Sequence, residues 1–245
     1  MLVVGAHAGA FSFDASSNVR MKSTRTVLLV AIFAAAFAFV ESTVVVYLRQ
    51  ILYPEGFAFP LKLASLPQAA VEAVREFATL VMLVAVGTLA GKTSWQRFSY
   101  FMIGFGVWDV FYYVWLKLIL GWPASVLDWD ILFLLPIPWI GPVLAPVLVS
   151  LTMIAGGWLI LRKEEEHGLF RASRAAAALV LLGSIAILVS FLLDTDATLH
   201  FQYPKPYHYE LLALGMVCYV AAFITTARTS ALPGEDSATG GAGRG

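Results

Sequence analysis

The chain has 245 residues, of which 60% are hydrophobic and 13% charged, and its mean hydropathy is +0.80. Soluble globular proteins contain about 45–50% apolar and about 25% charged residues, so this composition indicates a protein embedded in a lipid bilayer. The formal net charge of zero gives no basis for nucleic-acid binding, and the single cysteine, Cys218, excludes an internal disulfide or a multi-cysteine metal site.

The N-terminal segment, residues 1–25, has no lysine or arginine before Arg20 and therefore lacks the charged start of a signal peptide. We predict that it is a flexible cytoplasmic tail, with Met21 as an alternative start of the chain. The first predicted membrane span covers residues 26–47. A cleaved signal is the alternative for this span, because residues 36–38 have a small-x-small form, but the apolar run continues beyond them.

Five further apolar segments are long enough to cross a bilayer, at residues 69–90, 98–120, 140–161, 175–193 and 210–226. Residues 122–138 are rich in tryptophan and proline, which predicts an interfacial or re-entrant segment. Residues 230–245 are rich in Gly, Ser and Ala and are predicted to be a disordered cytoplasmic tail. The predicted fold class is an all-α integral membrane helix bundle, with one six-helix domain at residues 26–229.

The lysines and arginines are distributed unevenly between the two predicted sides of the membrane. The side of the N-terminus carries most of them: Arg20, Lys22, Arg25, Lys92, Arg97, Arg162, Lys163, Arg171, Arg174, Arg228 and Arg244. The opposite side carries Arg49, Lys62, Lys117 and Lys205. The positive-inside rule therefore predicts that both termini are cytoplasmic in a bacterial-type cytoplasmic membrane.

Carboxylates inside the predicted spans are the strongest functional signal, because each costs about 2.5–3.5 kcal/mol near the centre of a membrane helix. Glu41, Glu76 and Asp109 lie in three different spans, and Asp130 lies in the loop that follows the third. We predict that these four residues form an ion- or proton-binding site that faces the outer side. The predicted supporting residues are Glu72, Arg75, Tyr112, Tyr113, His200 and His208.

Several chemistries fit such a cluster. Carboxylate oxygens suit a divalent cation, which is the only candidate cofactor; a histidine, His200 or His208, folded over the mouth would suit a transition metal. A buried carboxylate can also hold and relay a proton. The structural alternatives are a solvated Glu72, a packing salt bridge between Arg75 and Glu76, and an interhelical hydrogen bond from Asp109.

Three functions follow from the sequence. The first is transport or binding of a cation or proton. The second is an intramembrane enzyme that uses carboxylate acid–base chemistry on a lipid or isoprenoid, although no GxSxG, HExxH, P-loop or GxGxxG context assigns catalytic residues. The third is an assembly subunit of a larger membrane complex. The predicted partners are the lipid bilayer and other membrane subunits or further copies of the chain.

Overall fold

The computed structural model describes the backbone of residues 7–59, 66–200 and 202–229, with side chains in the first helix described from residue 23 onward. In chain order its elements are α1 (His7–Leu52), α2 (Leu66–Ala90), α3 (Ser94–Leu120), β1 (Trp129–Phe133), β2 (Trp139–Pro142), α4 (Leu144–His167), α5 (Arg174–Leu192), α6 (Thr195–Leu199) and α7 (Tyr209–Thr229). Within these described residues, six helices are long and apolar enough to span a membrane. The predicted all-α six-helix membrane bundle is therefore confirmed.

The first helix is longer at both ends than the predicted span. Its backbone is helical from His7, and it continues to Leu52, so that Arg49 lies in its last turn. The flexibility predicted for residues 1–25 stays a prediction. The predicted tail at residues 230–245 lies outside the described residues.

The segment rich in tryptophan and proline contains a short antiparallel hairpin. Strands β1 and β2 pair Asp130 with Gly141 and Ile131 with Ile140. The start of the fourth span, predicted at residue 140, is therefore wrong, because residues 139–142 form β2 and α4 begins at Leu144. Proline lacks a backbone N–H, so Pro142 lies at the end of β2 rather than inside a helix.

Helix α3 is the central element of the bundle. It packs against α1, α2 and α4, whereas α1 and α2 have few direct contacts with each other. The hydroxyl of Thr93 accepts a hydrogen bond from the N–H of Gln96 and caps the start of α3. Gly121 caps its end at φ +69°, in the left-handed region that favours glycine. This arrangement leaves space between the C-terminal half of α1 and the N-terminal half of α2.

Two glycines bring α3 and α4 into close contact. A Cβ at Gly106 would lie 2.5 Å from the carbonyl oxygen of Ser150, and one at Gly157 would lie 2.7 Å from that of Ser99. Small residues at such crossings let membrane helices approach closely. The close approach at Gly106 places α4 within hydrogen-bonding distance of Asp109, which lies one turn further along α3.

Candidate functional site

A cavity of about 330 Å³ lies between α1, α2, α3 and the β1–β2 hairpin. Its ionisable lining residues come from all four of these elements and from the residue that follows α1: Glu41, Arg49, Tyr53, Glu72, Arg75, Glu76, Asp109, Tyr112, Tyr113 and Asp130. The structure thus brings the four predicted binding residues together around one space. Four of the six predicted supporting residues also line it.

Arg75, which lies in α2, joins this helix to α1 across the cavity. Its Nη1 atom donates a hydrogen bond to Glu41, which is only 4% exposed. Its Nε and Nη2 atoms lie 2.9 Å and 2.8 Å from Glu72 Oε2. Arg75 therefore pairs with Glu41 and Glu72 rather than with Glu76, and Glu72 is an ion-pair partner rather than a solvated surface group.

Arg49 forms a second buried ion pair, with Asp130. Its Nη2 atom lies 2.8 Å from Asp130 Oδ1, and the two residues are 7% and 2% exposed. The guanidinium carbon lies 3.7 Å from the ring centroid of Trp122 and 4.2 Å from that of Phe57, so the cation is enclosed by aromatic rings. Burial raises the pKa of Asp130 to about 6, even though Arg49, the Ile131 N–H and the Tyr113 hydroxyl oppose the rise.

Glu76 and Asp109 line the same cavity without an arginine partner in the described part of the chain. Glu76 Oε2 accepts the backbone N–H of Leu134 at 2.8 Å, and Asp109 Oδ2 accepts the hydroxyl of Ser150 at 2.8 Å. Neither residue forms a salt bridge among the pairs that the described side chains make. These two carboxylates are therefore held in place by neutral donors rather than by an ion pair.

The lining residues have an acidic charge balance. Five carboxylates face two arginines, so the cavity would carry a formal charge of −3 if every group were ionised. Even so, the described residues contain no group of three or more His, Cys, Asp or Glu side chains that could hold a metal ion. The arginines pair with Glu41, Glu72 and Asp130, and the divalent cation stays a prediction.

Three cavity-lining residues also carry a buried polar atom without a hydrogen-bond partner among the described residues. These atoms are Arg49 Nη1, Trp108 Nε1 and Asp130 Oδ2. Each such atom typically costs about 1–3 kcal/mol. The other two buried polar atoms of this kind in the described residues belong to Trp139 and Glu164, which do not line the cavity. Three of the five thus lie at one cavity, and this grouping favours a functional site.

The hairpin covers one side of the cavity. It contributes apolar lining through Ile131 to Leu134 and through Pro138. It is fixed to α1 by the ion pair of Asp130 and to α2 by the hydrogen bond from the Leu134 N–H to Glu76, while the Thr195 hydroxyl donates to the Pro138 carbonyl at 2.9 Å. Two of the predicted site carboxylates therefore also hold the cover in place.

The two predicted histidines do not line the cavity. The His200 Nδ1 atom lies 3.3 Å from the Asp196 carbonyl oxygen, and the His208 Nδ1 atom lies 2.6 Å from Glu210 Oε1. Sequence reasoning instead missed Arg49, which it had placed with the outer basic residues. The available signal was the position of Arg49 at the end of the first span, a few residues before Tyr53 and Phe57.

Comparison of the chain with models of protein families, with curated proteins and with solved structures found no match in any of the three. The chain is a polytopic membrane protein by the length and composition of its helices. A function must therefore be argued from the cavity.

Proposed function

We propose that this protein binds a proton or a small monovalent cation in the cavity between α1, α2 and α3, and that it carries this ion across the membrane. The observation that carries the proposal is the convergence of five carboxylates with only two arginines on one cavity. A packing role would require each carboxylate to have a compensating partner, but the lining residues supply too few.

Glu76 and Asp109 are the residues to which we assign the ion. Both belong to predicted membrane spans, where an uncompensated negative charge is expensive. A proton or a cation bound at these carboxylates would neutralise their negative charge without a further basic side chain. Arg49 pairs with Asp130, and Arg75 is shared by Glu41 and Glu72, so the other three carboxylates already have ion-pair partners.

A small monovalent ion agrees with the geometry better than a divalent metal. A proton needs one carboxylate, and a monovalent cation needs fewer charged ligands than Mg²⁺ or Ca²⁺, which take six or more oxygen ligands. The distribution of Lys and Arg supports an orientation with the cavity in the outer half of the bundle and both termini in the cytoplasm. The ion would therefore enter from the outer side, beneath the hairpin.

Ion flux into liposomes tests this proposal. The protein is reconstituted with a trapped dye that is sensitive to pH, Na⁺ or K⁺, and flux is driven by a potential in buffers of Na⁺, K⁺ or neither. We expect wild-type flux above that of empty liposomes and its loss in E76Q and D109N. Glu166→Gln is the matched control, because Glu166 is an exposed carboxylate outside the cavity. Equal flux for the wild type and for the double variant E76Q/D109N under all three conditions would refute the proposal.

The apolar part of the cavity favours a second candidate, an intramembrane enzyme on a lipid or isoprenoid. Val45, Leu48 and Leu52 of α1 line the space that the few contacts between α1 and α2 leave. A lipid chain could enter there and bring its polar end to Asp109 or Glu76, either of which could serve as the acid or base. Comparison of the lipids of a deletion strain and its complemented parent tests this candidate, and identical lipid profiles would exclude it.

A further inference from the structure

A second cavity, of about 200 Å³, lies at the opposite end of the bundle from the acidic one. It is formed by the end of α4, the loop to α5 and the end of α7. Three of its lining side chains are basic, namely Lys163, His167 and Arg171, and none of its lining residues is a carboxylate. We call this group the basic pocket.

We propose that the basic pocket binds a phosphate group, with an anionic membrane phospholipid as its source. Lys163 and Arg171 bring two permanent positive charges to one small space. Basic pockets between membrane helices on the positively charged side are suited to anionic lipid headgroups. This site is independent of the ion proposed for the acidic cavity.

The donors of the pocket are held in place by the fold. Lys163 Nζ donates to the Ala227 carbonyl at 3.3 Å, which ties α4 to α7 and leaves two ammonium N–H groups for a ligand. The Ser173 Oγ atom accepts the N–H of Ala176, so its own hydroxyl proton remains able to donate. The start of α5 adds the positive end of a helix dipole to the same space.

The three glutamates that precede His167 do not neutralise the pocket. Glu164 is buried and accepts the Thr93 hydroxyl at 2.7 Å, on the side of α3. Glu165 pairs with Arg162. Glu166 Oε2 lies 3.8 Å from His167 Nε2, so it affects the imidazole, but it does not line the pocket. The charges of Lys163 and Arg171 therefore remain available.

The apolar lining favours a lipid over a free phosphate ion. Leu169 lines the pocket and is 71% exposed, and Phe170 beside it packs on Trp95 with ring centroids 4.9 Å apart. An acyl chain would cover Leu169 and continue along the exposed apolar faces of α5 and α7. Inorganic phosphate would leave this apolar surface uncovered.

Lipid titration of the full chain, followed by native mass spectrometry, tests this proposal. The probes are phosphatidylglycerol and phosphatidylcholine with the same acyl chains, and inorganic phosphate. We expect phosphatidylglycerol to bind more tightly than phosphatidylcholine, and its affinity to fall about fivefold for each cation removed in R171Q and K163Q/R171Q. Lys92→Gln is the matched control, because Lys92 lies on the same side but outside the pocket.

The outcomes separate the source of the phosphate from the existence of the site. If inorganic phosphate displaces phosphatidylglycerol and depends on the same two residues, the phosphate site stands and the lipid source is wrong. Equal binding of the two lipids, or an unchanged affinity in R171Q, would overturn the proposal. Arg171 is exposed, so R171Q is expected to fold and decides the matter if the double variant cannot be purified.

Discussion

Removal of the Arg75 guanidinium is expected to destabilise the bundle strongly, because it leaves the carboxylate of Glu41 buried without a counter-charge. Removing one partner of a buried ion pair typically costs about 3–5 kcal/mol. The Arg75 side chain is 22% exposed, so the lower end applies. For a chain of this size, about 3 kcal/mol corresponds to a fall of roughly 6–12 °C in melting temperature.

Thermal unfolding of R75Q in neutral detergent measures this effect, and E41Q/R75Q isolates its cause. Removing the buried charge together with its partner is expected to restore at least half of the lost melting temperature. Arg162→Gln is the matched control, because its pair with Glu165 is long, at 3.8 Å, and worth about 0–1 kcal/mol. If E41Q/R75Q were as unstable as R75Q alone, the unpaired Glu41 carboxylate would not be the cause of the lower melting temperature.

Two further predictions concern stability. G106A should lower the free energy of unfolding by about 1–3 kcal/mol, because its Cβ would meet the Ser150 backbone. G104A is the control and should be neutral or slightly stabilising, because the nearest atom to its Cβ lies at 3.4 Å. Equal melting temperatures for the two variants would contradict this contrast. Since the pKa of Asp130 rises from 3.8 to about 6 on folding, the folded state binds this proton more tightly, and stability relative to D130N should fall as pH rises between about 4 and 6. Parallel curves of melting temperature against pH for the two proteins would contradict this sign.

The membrane spans could be predicted from sequence because they depend on local hydropathy, which needs no knowledge of neighbouring helices. The boundary errors have local causes. Helix α1 continues past the predicted end at residue 47 to Leu52, and the strands of the hairpin are only five and four residues long. Strands this short, within an apolar segment that continues into α4, carry little periodic signal.

The partners of the charged groups could not be predicted, because they depend on which helices are neighbours and how each is rotated. Spacing along α2 brings Arg75 near both Glu72 and Glu76, but only the packing of α1 on α3 brings Glu41 to the guanidinium. Arg49 meets Asp130 across 81 positions of sequence, through the hairpin. No pattern within one segment contains that contact.

Infrared difference spectroscopy of the carboxyl groups, recorded on a change of pH and on addition of Na⁺ or K⁺, shows whether Glu76 and Asp109 hold the ion that we propose for the cavity. We expect a carboxyl signal that responds to protons or to one of these cations, that is lost in E76Q/D109N and that persists in E166Q. Identical difference spectra for the wild type and E76Q/D109N would contradict it.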